Sequence, residues 1–389
     1  MRASRRIATL NAGGSDGWGI FLRAREMERQ GRAVLDLTIG DHDRVTPRVL
    51  LDEMHRSAVD GHTGYASVPG TPALRSAIAA RVAARTGVAT GSDNVLVTAG
   101  GQAALFASFM GVLDPGDTAL FIDPYYATYP GTIRAASGVP HAVAARPSAG
   151  FQPQVRDLET APDARALLIN TPNNPTGVVY AEATMRGLAE FAEGRDMWLI
   201  ADEVYDGQVW TGAHLSMRSV APERTLLIGS LSKSHVMTGS RLGWVAGPAE
   251  MIGYLADLAV NTTYGVPGFI QDAAQLAVTG GAEIEAELVQ TYRRRREACL
   301  RTLAGHGSIG VVPSAGAMYL MLDVRATGLS GEAFALRLLD ERGIAVMPGE
   351  SFGQAAAGHL RVALTRPEAA LNAAMAQIAE FAEELRDAA

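Results

Sequence analysis

The feature that most constrains this chain is a repeated alternation: a short apolar run, a polar or glycine-bearing loop, then a helix-length segment. The runs are Asn94–Val97, Ala119–Ile122, Ala166–Ile169, Met197–Ala201 and Thr225–Ile228, with helical patterns such as Gln102–Leu113 and Ala181–Ala192 between them. Continuously apolar strands are buried on both faces, and strands alternating with helices build a mostly parallel sheet with helices covering it. The sequence therefore predicts an α/β fold around such a sheet. Two helix starts are legible as well. Thr46-Pro47 and Thr71-Pro72 each place a cap oxygen before a proline at the first helical position.

From about Glu283 the texture changes. A long helical stretch, Glu283–Ala304, leads into strand-like Ala317–Leu322, a helix near Glu332–Arg342, strand-like Leu360–Leu364 and a closing helix, Pro367–Arg386. This mixture predicts a smaller α+β domain. The expected division is an arm and part of the small domain over residues 1–45, a large domain over 46–282 and a small domain over 283–389.

Composition narrows the function classes. Of 389 residues, 48% are apolar and 19% charged, a globular mixture that is not that of a disordered chain. The net charge of −7 argues against general nucleic-acid or membrane-surface binding, which draw on positive fields. With Cys299 as the sole cysteine, no intrachain disulfide and no multi-cysteine metal site can form, which suits a reducing compartment. The uncharged stretch Asn94–Leu113 has the length of a membrane span, but Gly100 and Gly101 break it into strand, loop and helix. Ile7–Leu10, after Arg2, Arg5 and Arg6, is too short for a signal h-region. A soluble, cytoplasmic protein is expected.

Three motif matches fail on context. Gly305–Gly310 fits GxGxxG, but a helix precedes it and a strand follows, the reverse of the dinucleotide order. Gly349–Gly353 fits GxSxG, but no acid lies between Ser351 and His359, the only downstream histidine. A turn is expected there. The run Arg293–Arg296 points in four directions on a helix, so a solvated face with local pairs such as Arg293 with Glu297 is expected.

Four loops each follow an apolar run and so lie at strand carboxyl ends, the edge where open α/β sheets bind ligands. They read Thr98-Ala-Gly-Gly-Gln102, Asn170-Thr-Pro-Asn-Asn-Pro-Thr-Gly177, Asp202-Glu-Val-Tyr205 and Ser230-Leu-Ser-Lys-Ser234. The last continues to Gly239-Ser-Arg241-Leu-Gly243 and resembles the lysine signature of fold type I pyridoxal-phosphate enzymes, the class I/II aminotransferases. Asn-Pro-Thr-Gly, Asp-x-x-Tyr, Tyr65-x4-Gly70, and Pro348-Gly349-x2-Phe352-Gly353 followed by Arg361-Val362 are similar to the same family's other marks, in its order.

The resemblance implies a set of roles. Lys233 would hold pyridoxal 5′-phosphate as a Schiff base and, once freed, move the substrate proton, which needs an unprotonated amine. Asp202 would keep the pyridine nitrogen protonated. Asn174 and Tyr205 match the pair that bonds the ring's phenolic oxygen. Gly101 and Gln102, at a helix amino terminus, with Ser230, Ser232 and Arg241, resemble the phosphate ligands. Tyr126 and Val204 would cover the two ring faces. Arg361 matches the arginine that grips the substrate α-carboxylate and Gly40 the small residue beside it, although the following Asp41-His42-Asp43-Arg44 departs from the family's acid-proline-aspartate. Tyr65 would reach the phosphate of a neighbouring subunit in a homodimer with shared sites. The implied activity is transfer of an amino group from an L-amino acid to a 2-oxo acid. A C–S β-lyase of the same fold would use every one of these cofactor contacts, and a non-catalytic cofactor-binding member is the alternative from another class. Trp18 and Tyr264 fall near segments through which the family varies its substrates.

Overall fold

The computed structural model describes residues 1–11 and 18–387. Among them, seven strands form the central sheet: β1 (Val95–Thr98), β2 (Thr118–Asp123), β3 (Val139–Ala144), β4 (Ala166–Asn170), β5 (Trp198–Asp202), β6 (Thr225–Ser230) and β7 (Gly243–Ala246). Their spatial order is β1-β7-β6-β5-β4-β2-β3. β7 runs antiparallel to both its neighbours, and every other pair is parallel. The sheet is thus α/β and mostly parallel, as its apolar runs predict. Residues one apart along a strand serve opposite faces. In β4, Leu167 and Ile169 pack with Met185 and Leu188 of helix Glu182–Gly194 on one face. Ala166 and Leu168 pack with Leu105 and Phe109 of helix α1 (Gly101–Val112) on the other.

A second, antiparallel sheet comprises β8 (Gly310–Val311), β9 (Tyr319–Asp323), β10 (Met347–Pro348) and β11 (His359–Ala363), in the order β10-β11-β9-β8. Helix α2 (Ala282–Leu303) and helices Gly331–Arg342 and Glu368–Asp387 surround it. Leu35–Asp36 pairs in parallel with Ile344–Ala345, and Ile20, Ala24 and Met27 share a core with Leu338 and Leu339. Asp123, buried at the end of β2, ties the two regions together by accepting from the backbone N–H groups of Gln354 at 2.9 Å and Ala355 at 3.2 Å.

Local expectations fare unevenly. Thr71 caps helix Pro72–Thr86 by accepting from the Leu74 N–H at 3.4 Å. Thr46 does not cap the other such start. That helix begins at Arg48 behind Pro47, and the Thr46 hydroxyl donates instead to the Val236 carbonyl at 2.5 Å. Arg293 pairs with Glu297 at 3.0 Å, but the arginine run is not a solvated face throughout. Arg295 is buried, bound to Asp43 at 2.6 Å and to the Leu364 carbonyl at 2.9 Å. Gly305–Gly310 follows helix α2 and leads into β8, and Gly349–Phe352 is a short 3-10 turn. Among the described residues no helix is long and apolar enough to cross a membrane.

Candidate active site

β1, β4, β5 and β6 all end at one edge of the central sheet, because β7 reverses between β1 and β6. Register holds the ends level: Asn170 pairs with Asp202, and Gly243 lies between Ser230 and Thr98. The four loops leaving this edge line a cleft of about 310 Å³, to whose lining Gly40, Tyr319 and Arg361 also contribute. Every predicted site residue except Tyr65 lines it.

Asp202 forms the floor. It is buried, and desolvation pushes its carboxyl up to about 6. The Tyr129 hydroxyl donates to its Oδ2 at 2.6 Å and opposes that rise, as does the more distant Val204 N–H at 3.4 Å. Asn170 fixes the backbone there by donating its Nδ2 to the Asp202 carbonyl at 2.9 Å. Among the described residues no cation lies within ion-pair distance of the Asp202 carboxylate.

Lys233 sits in a short turn of helix, Leu231–Ser234, directly after β6. The Ser230 hydroxyl caps that turn by accepting from the Ser232 N–H at 3.1 Å. The Lys233 Nζ donates to the Gly40 carbonyl at 2.5 Å. Gly40 must be glycine here, since a Cβ would run into the Tyr319 hydroxyl. That hydroxyl lies 3.0 Å from the Tyr205 hydroxyl, and burial, then Tyr319, pushes the Tyr205 phenol well above its ordinary value.

At the other end, α1 starts at Gly101 with Gly100 in the cap position and no side chain capping its first amides. A helix amino terminus of this kind favours an anion. A Cβ on Gly100 would stand 2.5 Å from the Arg241 Nη2, so the guanidinium lies against the helix start. The Gln102 side chain is engaged elsewhere, donating to Thr132 at 2.7 Å and accepting from Thr128 at 3.1 Å, which leaves its backbone N–H for a ligand.

Arg361, on the inner strand β11 of the small sheet, is buried between two rings: its guanidinium carbon lies 4.5 Å from the Tyr319 centroid and 4.4 Å from that of Phe352. It donates to the Asn174 Oδ1 at 2.8 Å and to the Thr38 carbonyl, while its buried Nε has no partner. With its oxygen so taken, Asn174 has its amide N–H left as a donor. Lys233, Arg241 and Arg361 have no carboxylate within ion-pair distance among the described residues. The cleft therefore presents cations at both ends and an unpaired, buried carboxylate at its floor.

The family model described as aminotransferase class I and II matches residues 32–378. The chain is 40% identical over 390 residues, 99% of each chain, to arginine–pyruvate transaminase AruH of Pseudomonas aeruginosa. It is 36% identical over 382 residues, 97% of each, to aspartate/prephenate aminotransferase of Thermus thermophilus. The solved structure of aspartate aminotransferase from Thermus thermophilus with maleate superposes with a TM-score of 0.92 at 34% identity, covering 98% of this chain and 100% of that one. The chain belongs to the class I and II aminotransferases.

It is an aminotransferase of fold type I, and its class I and II relatives depend on pyridoxal phosphate. The residues present fit that group. A buried carboxylate lacking a cation suits a protonated ring nitrogen, and the helix start beside Arg241 suits a phosphate. A Cβ added to Gly101 would stand 3.3 Å from a Val204 methyl, so these two residues narrow the cradle between them.

Tyr65 stands apart from the cleft. It is 91% exposed, and its ring meets the Tyr264 ring edge-on, with centroids 5.1 Å apart. Tyr129, Asn170 and Tyr319 line the cleft without having been legible in the sequence. For Tyr129 a signal did exist: it follows Tyr126 by three residues at the start of helix Tyr129–Ala135, and the two rings meet edge-on at 5.8 Å.

Proposed function

We propose that this aminotransferase binds pyridoxal 5′-phosphate in the cleft, carried on Lys233. Asp202, Asn174, Tyr205, Tyr126 and Val204 hold the ring, and Gly101, Gln102, Ser230, Ser232 and Arg241 hold the phosphate. Arg361, with the backbone at Gly40, holds the α-carboxylate of the amino acid or 2-oxo acid. The observation that carries this reading is the buried Asp202 carboxylate, which has no cation beside it among the described residues.

When bound, pyridoxal phosphate supplies a conjugated ring that withdraws electrons from the substrate Cα. Asp202 keeps a proton on the ring nitrogen, charge against charge in a desolvated site. Arg361 orients the substrate with two parallel N–H bonds, its plane fixed by Tyr319 and Phe352. That places the Cα proton within reach of the Lys233 amine, which removes it and returns it during amino transfer. The Gly40 carbonyl steers the amine, and the Tyr205–Tyr319 pair brings hydroxyls to the ring's oxygen side.

Lys233 is the residue to test. Borohydride reduction of the loaded enzyme followed by peptide mass mapping should place the label on Lys233. A label on another lysine would overturn the assignment.

The same reading makes the enzyme a homodimer in which Tyr65 serves the neighbouring site. Its exposed ring supports this, and closed two-fold pairs are the commonest assemblies. We further divide the chain into segments 1–45, 46–282 and 283–389, supported by the packing of Ile20, Ala24 and Met27 with Leu338, Leu339 and Leu360 rather than with the central sheet. The lone Cys299 supports a cytoplasmic setting. Arginine and aspartate, the donors in the relatives' names, carry side chains of opposite charge. Family membership selects the amino-transfer chemistry, and the cleft's rim must select the side chain.

A further inference from the structure

Among the described residues, the charges lining the cleft are Lys233, Arg241, Arg361, Asp202 and Asp41. Four of these have tasks if the cleft holds pyridoxal phosphate as proposed, and the role of the fifth rests on that same reading. Arg241 lies at the phosphate end, Arg361 takes the α-carboxylate, Lys233 handles the proton and Asp202 faces the ring nitrogen. Asp41 has no task. It is exposed, lines the cleft beside Gly40, and has no ion-pair partner among the described residues. Its carboxylate is held in place locally, because Oδ1 accepts from the His42 N–H at 3.0 Å.

The loop that presents Asp41 is fixed to helix α2 by three consecutive side chains. The Tyr292 hydroxyl meets the His42 Nδ1 at 2.7 Å, Asp43 pairs with Arg295 at 2.6 Å, and Arg44 pairs with Glu287 at 2.7 Å. Asp41, the one residue of Asp41–Arg44 not turned to that helix by such a contact, faces the cleft. Gly40 receives the Lys233 amine and Asp41 is its chain neighbour, so a substrate whose Cα meets Lys233 has this carboxylate close to its side chain. A second substrate carboxylate would face Asp41 with no free cation among the described residues of the cleft's lining to receive it.

We propose that the amino donor carries a cationic side chain, a guanidinium or ammonium on an aliphatic stem, and that Asp41 is the residue that reads it. Ile39, which lines the same wall, offers apolar surface to the stem. The interaction is solvent-exposed, so its effect is a modest preference rather than an absolute one.

Arginine and citrulline test this directly, because they match in shape and differ in side-chain charge. The loaded wild-type enzyme should favour arginine over citrulline in kcat/KM by about fivefold, the upper range for an exposed pair, with aspartate below both. Asp41→Asn should bring the ratio near one, and Asp41→Lys should invert it. Taking the ratio on a single preparation cancels any loss of folded protein. Binding of 5-guanidinopentanoate against 5-ureidopentanoate, measured by calorimetry, reads the same preference without turnover and should respond in the same way. A ratio unmoved by Asp41→Asn, or a wild-type preference for aspartate over citrulline, overturns the proposal. Lys233 labelling with an unmoved ratio sinks only the Asp41 assignment. A moving ratio with the label on another lysine keeps Asp41 and sinks the cofactor assignment.

Discussion

Asp123 and Asp202 end β2 and β5, two strands apart at one sheet edge, and they invite comparison. Both are buried, and burial pushes both carboxyls up to about 6. Their partners differ. Asp123 accepts from backbone N–H groups of Gln354 and Ala355, and it does not line the cleft. Asp202 receives one tyrosine hydroxyl and a distant amide, and it faces the cleft. Burial that raises both carboxyls thus leaves a tether in one place and, in the other, a carboxylate with bonding capacity still open toward the cleft. What separates them is the bonding capacity left after the protein's own donors are counted.

The strongest way to break this comparison is to replace each carboxylate by its amide. Asp202→Asn should cost about 3 kcal/mol of transition-state stabilisation, a hundredfold or more in amino-transfer rate. Asp123→Asn should change that rate by about threefold at most and, at pH 4, lower folding stability by about 1 kcal/mol, since one amide N–H loses its acceptor. Equal rate losses in the two variants would mean that the tether, not the receptor, governs chemistry.

Asp202 was legible in the sequence, whereas the task of Asp123 was not. A motif exposes residues fixed by a ligand, because that chemistry restricts residue type and spacing together. Lys233, Asn174, Arg241 and Arg361 became readable in this way, and the apolar runs revealed the sheet because strands buried on both faces leave no alternation. Contacts between distant segments leave no such trace. Asp123 with Gln354, Tyr205 with Tyr319, and the His42, Asp43 and Arg44 contacts to α2 depend on how two sheets meet. Thr46 shows the same limit at short range, since a tertiary acceptor at Val236 outcompetes the local cap.

A smaller test separates the carboxyls by pH. Both native values lie about two units above the ordinary 3.9, so the folded state favours the protonated form. Each group's stabilising effect is therefore complete below about pH 4, declines as pH rises, and is lost above about pH 6. In cofactor-free protein, each Asn variant should gain up to about 3 kcal/mol on the wild type between pH 4 and pH 7, read from urea midpoints. Adding pyridoxal phosphate should abolish the gain for Asp202→Asn, because a cation then holds Asp202 charged, and preserve it for Asp123→Asn. Loss of both gains on loading would mean that the two carboxyls respond as one unit.

The smallest expected effect belongs to Tyr129→Phe, which sharpens the comparison because a side-chain donor can be removed where backbone donors cannot. The Tyr129 hydroxyl donates to the Asp202 Oδ2 at 2.6 Å and is itself fully buried. A hydrogen bond to a charged group is worth about 1.5 kcal/mol or somewhat more, and the charged form depends on it more than the neutral one. The variant should therefore lose about 1.5 kcal/mol of stability at pH 8 in cofactor-free protein, and distinctly less at pH 4, where Asp202 is protonated. Phenylalanine preserves the ring contact with Tyr126, so packing is retained and the pH dependence isolates the hydroxyl. Amino transfer should slow by about tenfold or less, between wild type and Asp202→Asn, because Asp202 keeps its place but loses the donor that favours its charge. Equal stability losses at the two pH values would make Tyr129 a packing residue. The charge on Asp202 would then be sustained by the Val204 N–H and the cofactor alone.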